Sequence, residues 1–282
     1  MGKFGANIKL RGRGLAKLGT SLNSWFCLRA KPLLFLSLLA FLLFAGSGKE
    51  TEDKANAPEA PRVQDARKRN FADLKKTLEK AGLSYPPKKI FLRVFKLERS
   101  VELWALDPEA GQYKLLEQYR ACALSGNVGP KRREGDHQVP EGFYNLSEFN
   151  PQSKFHLSLR VDYPNQADRA FCDQDHPGGD IFIHGSCVSD GCVAIRDQPI
   201  ERLYLIASDA KANGQKTIPV HIFPCRMDSS LCRGTLAFFS MKDEDLKKFW
   251  DSLKPAYEFF EKTRTIPAVK IGADGYYRID EK

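Results

Sequence analysis

The sequence lacks several features that would place it in large classes of proteins. Seven basic and no acidic residues fall in residues 1–31, and the rest of the chain is nearly balanced, with 37 Lys or Arg against 35 Asp or Glu. Since nucleic-acid-binding domains carry a basic patch or stripe, this balance excludes nucleic acid as a partner. No internal repeat is present, and no strongly apolar run reaches the roughly 20 residues of a membrane-spanning helix.

Cysteine patterns typical of redox and zinc proteins are also missing. There is no C-x-x-C pair among the seven cysteines, which argues against a thiol oxidoreductase. A zinc site needs four ligands in closely spaced pairs, and Cys225 and Cys232 are too far apart to form such a pair, so we expect no zinc. In an oxidising compartment disulfides are the default, and the short polar loop between these two cysteines predicts a bond.

The first 48 residues have the pattern of an export signal. The basic segment precedes an uncharged, leucine-rich run (residues 32–48) that ends in small residues. This pattern predicts a signal peptide or an N-terminal anchor in the inner membrane. Because positive charge stays on the cytoplasmic side, the remainder is expected in the periplasm or cell envelope. Residues 49–62 are charged and contain proline, which predicts a flexible tether.

Residues 63–282 mix strand and helix patterns. Glycines and prolines between residues 126 and 142 predict a long loop. Helical periodicity predicts helices over residues 63–82, 198–214 and 243–262, the last kinked or divided at Pro255. Alternation or short apolar runs predict strands within residues 89–106, 113–124, 155–161, 180–185 and 217–224. Many short strands with few helices indicate a single α+β domain around a mixed sheet.

One stretch, "DIFIHGSCVSDGCVAIRD" at residues 180–197, has the residue types of a nucleophilic site. Cys192 follows Gly191, precedes a predicted helix and lies eight residues after His184 at a strand end. A nucleophilic thiol needs a base within reach and backbone N–H groups directed at the attacked carbonyl. Glycine permits close backbone approach, and a helix start favours the thiolate. On spacing alone, a structural disulfide beside a bystander histidine fits equally well.

Longer motifs favour the catalytic interpretation. "IFIHG…SDGCVAIRDQPIERLY" resembles the signature of YkuD-type L,D-transpeptidases. The block "GPKRREGDHQVPEGFYNLSEFNPQSKFHLSLRVDYPNQADR" is similar to the YafK-like branch of that family. The resemblance runs from about residue 90 to 223. For residues 63–282 it implies a catalytic domain with flanking helices, in which mixed, sandwich-like sheets carry a few peripheral helices.

The same resemblance assigns roles by position. It implies Cys192 as nucleophile, His184 as general base and acid, and backbone N–H groups around Gly191 and Cys192 as oxyanion donors, with no metal and no organic cofactor. Asp190 replaces the histidine that the family usually has before Gly-Cys, and Ala194 replaces a common arginine. Arg196 is a candidate substitute for that arginine, although a solvated surface arginine is the simpler interpretation. Further candidate substrate contacts are Gly185, Ser189, Asp190 and His156.

The implied activity is attack of the Cys192 thiolate on a peptidoglycan stem peptide, giving a thioester that an amine resolves by transpeptidation. Two alternatives stay open. The YafK-like branch is associated with hydrolytic detachment of an outer-membrane lipoprotein from peptidoglycan, by the same route. The domain could instead be a non-catalytic peptidoglycan-binding module in which Cys187 and Cys192 form a permanent disulfide.

Overall fold

The computed structural model describes residues 59–280, so the predicted leader and the tether up to residue 58 lie outside the described residues. Helix α1 begins at Pro61, whose fixed φ suits a first helical turn, one residue before the predicted end of the tether at residue 62. The described residues form five helices, which are in chain order α1 (Pro61–Lys80), α2 (Gln166–Phe171), α3 (Asp197–Ala212), α4 (Ser230–Phe239) and α5 (Glu244–Thr263).

Eleven strands lie between and after these helices within the described residues. They are β1 (Ile90–Phe95), β2 (Ser100–Asp107), β3 (Gln112–Arg120), β4 (Ala123–Leu124), β5 (Gly142–Asn150), β6 (Ser158–Val161), β7 (Phe182–His184), β8 (Val193–Ala194), β9 (Pro219–Phe223), β10 (Val269–Ile271) and β11 (Tyr277–Ile279).

Nine of the strands form one mixed sheet in the order β3-β2-β1-β9-β5-β6-β7-β8-β4, and β10 with β11 forms a separate ribbon. The pairs β1/β9 and β7/β8 are parallel, and the remaining pairs are antiparallel. Strand β5 joins two halves, because its first residues pair with β9 and its last with β6, with an irregularity between Leu146 and Glu148. The α+β prediction with a mixed sheet is confirmed.

The core lies on both sides of this sheet. Helices α1 and α3 bury one face each, including Leu74, Leu78, Leu203 and Ile206, against a cluster of strand residues. Helix α5 buries Phe249, Trp250, Leu253 and Tyr257 against Phe95 and Phe223. Helix α3 also contacts β6 and β7, in the half of the sheet that is made of short strands.

Two expectations on secondary structure need correction. Helix α5 runs unbroken through Pro255, because apolar side chains on both sides of the proline, from Phe249 to Phe260, stay buried and offset the lost backbone hydrogen bond. The sequence patterns did not predict strands β5, β8, β10 and β11 or helices α2 and α4. Within residues 59–280, no helix combines the length and the apolar character needed to cross a bilayer.

Candidate active site

Strands β7 and β8 place the predicted base and nucleophile on one face of the sheet. Ile183 pairs with Val193 and His184 with Ala194, so Cys192 falls opposite Phe182 when the register is extended by one residue. Since side chains alternate between faces along a strand, Cys192 and His184 point to the same side. Strand spacing and rise put their backbones about 8 Å apart, a gap that a thiol and an imidazole can span.

His184 is held as a neutral ring with a defined proton position. Its Nδ1 lies 2.6 Å from the carbonyl oxygen of Gly185. Because a carbonyl only accepts, Nδ1 must donate, which leaves Nε2 with a lone pair to accept a proton. The side chain is buried, and burial lowers its pKa below the usual 6.5, against the opposing effect of the bond to Gly185. Nε2 of His184 is therefore in a state that can accept a proton.

An aromatic ring covers the imidazole. Phe155, which immediately precedes the candidate His156, packs on His184 with ring centroids 4.6 Å apart and planes inclined by 32°. Phe155 is itself 41% exposed, so one face shields His184 and the other meets solvent. Shielding from water is the physical source of the lowered pKa.

The Cys192 thiol is free and half-buried. Its Sγ lies 3.5 Å from the backbone oxygen of Asp180, so at rest the S–H group donates to that carbonyl. Burial raises the pKa of the thiol, the N–H of Phe182 opposes this, and the negative charges of Asp190 and Asp180 add to it. The resting pair is thus a thiol with a neutral imidazole, and not an ion pair.

Two disulfides occur among the described residues. Cys225 and Cys232 are bonded across seven positions, as predicted, with Cα atoms 5.6 Å apart. Cys187 is bonded to Cys122, also with a Cα separation of 5.6 Å, and not to Cys192. The proposed bond between Cys187 and Cys192 is therefore wrong, because strand β4 runs antiparallel to β8 and brings Cys122 beside the intervening loop.

Gly191 has a backbone that requires glycine. Its φ is +84°, and a Cβ there would lie 3.3 Å from the carbonyl oxygen of Gln138. Its N–H donates to Oγ of Ser125 at 2.6 Å. That donor was predicted to serve the oxyanion, and in this structure it is already engaged.

Three of the candidate substrate contacts are occupied within the protein. A Cβ at Gly185 would lie 2.6 Å from the carbonyl oxygen of Phe155, so this glycine permits close packing. The hydroxyl of Ser189 donates to the backbone oxygen of Cys192 at 2.7 Å. The ring of His156 bonds Glu201 at 2.8 Å, beside α1 and α3. These contacts account for all three residues without a substrate.

Asp190 and Arg196 are exposed. Asp190 pairs with Nδ1 of His137 at 2.5 Å, and Arg196 precedes α3 with a positive φ of 72°. Asp190 also lines a groove of about 420 Å³ beside Cys192. The other lining residues include Lys131, Glu134, His176, Asp180 and Ile181. Within residues 59–280, no three His, Cys, Asp or Glu side chains converge in a way that could hold a metal ion.

Sequence reasoning missed Ser125, Phe155 and Cys122 as parts of this site. Phe155 carried a usable signal, because it shares the strand alternation with Leu157 and is apolar. Ser125 and Cys122 carried none, since each lies more than 60 positions before its partner.

Comparisons with known proteins show the family of the chain. Residues 109–222 match the model of YkuD, the L,D-transpeptidase catalytic domain. The chain is 36% identical over 195 residues to YafK of Escherichia coli strain K12, which is named as an L,D-transpeptidase; the match covers 68% of this chain and 74% of YafK. The chain belongs to the YkuD L,D-transpeptidase family. The YafK of E. coli O157:H7 matches to the same extent.

Solved structures give weaker matches. The cell-shape-determining protein Pgp2 of Campylobacter jejuni is 18% identical with a TM-score of 0.39, covering 65% of this chain and 73% of Pgp2. Bd1075 of Bdellovibrio bacteriovorus is 23% identical with a TM-score of 0.36, covering 61% of this chain and 62% of Bd1075.

Proposed function

We propose that this L,D-transpeptidase-family chain is a cysteine enzyme of the cell envelope that acts on peptidoglycan stem peptides through a thioester on Cys192. One observation carries the proposal. The free thiol of Cys192 precedes β8 by one residue, on the side of the sheet to which the register of β7 and β8 assigns His184, and it contacts Asp180, which lines an open groove. Family membership supports the substrate class, and the leader supports delivery across the inner membrane.

The first step is acylation. Rotation of the Cys192 side chain away from Asp180 brings the S–H group to Nε2 of His184, which takes the proton as Sγ attacks a carbonyl carbon at the L-centre of a diamino acid. The S–C bond forms, the amide C–N bond breaks, and the imidazolium returns its proton to the leaving amine. A thioester remains on Cys192.

The second step repeats the first in reverse with another acceptor. An amine of a second stem peptide, deprotonated by His184, attacks the thioester and forms a new amide, which is transpeptidation. Water in the same place gives hydrolysis, which on a peptidoglycan-linked lipoprotein would release that lipoprotein. Both outcomes use the same two side chains, so the acceptor is decided by what the groove admits.

The non-catalytic module is disfavoured by the disulfide pattern. A stapled module would keep Cys192 bonded to Cys187, whereas here Cys187 is held by Cys122 and the Cys192 thiol is free. A free, half-buried thiol on the same side of the sheet as a neutral histidine is an arrangement suited to proton transfer during attack.

The test is incubation of the purified protein with tetrapeptide muropeptides and, separately, with lipoprotein-linked muropeptides, followed by mass spectrometry. New cross-links lost in Cys192→Ala and His184→Ala indicate transpeptidation, and cleavage products lost in both indicate hydrolysis. We expect losses of at least about 1,000-fold for Cys192→Ala. Cys172→Ala removes the other described free thiol, which is buried, and is expected to retain activity. Full activity in Cys192→Ala would refute the proposal.

A further inference from the structure

Two serine hydroxyls connect the backbone on either side of Cys192 to the end of strand β4. The N–H of Gly191 lies 2.6 Å from Oγ of Ser125, and the two serine oxygens of Ser125 and Ser189 are 3.0 Å apart. The backbone N–H of Ser125 donates to Oγ of Ser189 at 3.1 Å. Oγ of Ser189 lies 2.7 Å from the carbonyl oxygen of Cys192.

The proton positions in this network follow from the partners. Ser125 accepts from Gly191, so its own hydroxyl proton is free to go to Ser189. Ser189 has two donors directed at its oxygen, and its proton goes to Cys192, because a carbonyl can only accept. Each hydroxyl proton therefore has one acceptor, and the chain of bonds runs in one direction from Gly191 to Cys192.

This network fixes the orientation of the peptide that lies between its ends. The N–H of Gly191 belongs to the peptide before it, and the carbonyl of Cys192 belongs to the peptide after it. With both held, the remaining peptide, which carries the N–H of Cys192, has little freedom to rotate. An N–H group next to the attacking sulfur is the donor that must meet the carbonyl oxygen as negative charge develops there.

The loop before Cys192 is also held by a covalent bond and by hydrogen bonds to the start of α3. The bond between Cys122 and Cys187 fastens the start of the serine-bearing segment to the loop before Cys192. The N–H of Ser186 donates to Asp197 at 2.6 Å, and the carbonyl of Ser186 accepts from the N–H of Arg196. The loop from Gly185 to Gly191 is thus held at both ends, and the serine pair holds the end that bears the nucleophile.

We propose that Ser125 and Ser189 are positioning residues that hold the peptide between Gly191 and Cys192 so that the Cys192 N–H stabilises the oxyanion. The inference rests on the proposed function, since it concerns the acylation step of the same site. Of the two N–H groups expected to serve the oxyanion, that of Gly191 is bonded to Ser125, and the serine pair orients the other, that of Cys192.

The test compares Ser125→Ala and Ser189→Ala with Ser125→Thr, which keeps a hydroxyl, in the full-length protein. Ser147→Ala is the control, because the hydroxyl of Ser147 makes one long contact to the carbonyl of Arg160. On the muropeptide converted by the wild type, we expect the alanine variants to lose about 10- to 100-fold in kcat with KM changed less than about threefold. Ser125→Thr is expected to recover most of the loss.

A second measurement separates positioning from local unfolding. Alkylation of Cys192 by iodoacetamide needs no oxyanion donor, so its rate should stay within about twofold of wild type in both alanine variants. The inference is overturned by unchanged kcat, or by loss of kcat together with a matching rise in alkylation rate and a lower Tm. If Cys192→Ala loses activity but both serine-to-alanine variants keep wild-type kcat, this inference alone is refuted. Full activity in Cys192→Ala refutes the proposed function.

Discussion

The loop from Gly185 to Gly191 and the aromatic cluster around Arg93 are held by different forces. Arg93 is 1% exposed, its guanidinium lies 4.7 to 5.6 Å from four aromatic ring centres, and it pairs with Glu261 at 2.7 Å. The rings belong to Phe95, Phe223, Tyr257 and Phe260. The loop has no such packing, and backbone hydrogen bonds and one disulfide hold it.

The two regions contribute differently: the aromatic cluster stabilises the fold, and the loop fixes the positions of atoms beside Cys192. Apolar packing is non-directional and is roughly proportional to the area buried, so it joins β1, β9 and α5 without specifying single atoms. Hydrogen bonds have defined lengths and angles, and the loop uses them to place a peptide group beside Cys192. We therefore expect damage in the aromatic cluster to reduce stability, and damage near the loop to reduce activity per folded molecule.

The largest expected effect compares two phenylalanines. Phe260 packs against Phe91, Trp104 and Arg93, so Phe260→Ala should lower the free energy of unfolding by about 3–5 kcal/mol, with kcat per folded molecule unchanged. Phe155→Ala removes a partly exposed ring and should lower the free energy of unfolding by less than about 1 kcal/mol. Urea denaturation measures both, and similar losses would remove the distinction between the two regions.

Phe155→Ala has a further expected result in the pH profile. Burial lowers the pKa of His184, and the neutral imidazole is the active form, so activity falls as pH drops through that lowered pKa. Without the ring, water reaches the imidazole and the pKa rises toward its usual value. The acid limb of kcat/KM should then move to higher pH, and a limb that stays in place would refute shielding by Phe155.

The two disulfides sharpen the comparison. They close loops with sequence separations of 65 and 7, for which chain entropy predicts stabilisation by about 4 and about 2 kcal/mol. We expect Cys122→Ala with Cys187→Ala to lower both the unfolding free energy and kcat. Cys225→Ala with Cys232→Ala should lower stability by the smaller amount and leave kcat unchanged. Equal kcat in the two double variants would contradict the positioning of the loop.

The last prediction concerns a second buried histidine. His221 lies between the rings of Phe91 and Phe143, and burial, aided by the charge of Arg93, lowers its pKa to about 3. The unfolded chain binds the proton near pH 6.5, so stability is full above that pH and falls below it by up to about 1.4 kcal/mol per unit. Measurements of the unfolding free energy between pH 4 and 8 should show a smaller dependence on pH in His221→Phe than in the wild type. An unchanged dependence would mean that other groups cause it.

Sequence reasoning succeeded where a pattern repeats along several residues. The apolar runs and alternation of β1, β2, β7 and β9 and the helical periodicity of α1 and α3 are local properties, and the structure has these elements at the predicted places. Motif resemblance added the pair of Cys192 and His184, whose adjacency depends on the parallel pairing of β7 with β8. A two-residue strand such as β8 has no periodicity that could have revealed it.

The remaining features depend on contacts between distant segments. The bond of Cys122 to Cys187 and the contact of Ser125 with Gly191 join positions 65 and 66 residues apart, and neither spacing nor composition encodes such a partner. The break expected at Pro255 is absent for a related reason, because buried side chains on both sides of the proline keep α5 continuous. In both cases tertiary packing decided what the local signal left open.

The bond between Cys122 and Cys187 turns 66 consecutive residues into a covalent ring. His184 lies inside this ring, as do the residues that line most of the groove, whereas Cys192 lies five positions beyond its closure. A peptide bond cut between Cys122 and His184 would leave strands β1 to β3 attached to the fragment that carries both His184 and Cys192 until the disulfide is reduced. The groove segments can thus be nicked while the two parts of the sheet on either side of the cut stay covalently joined.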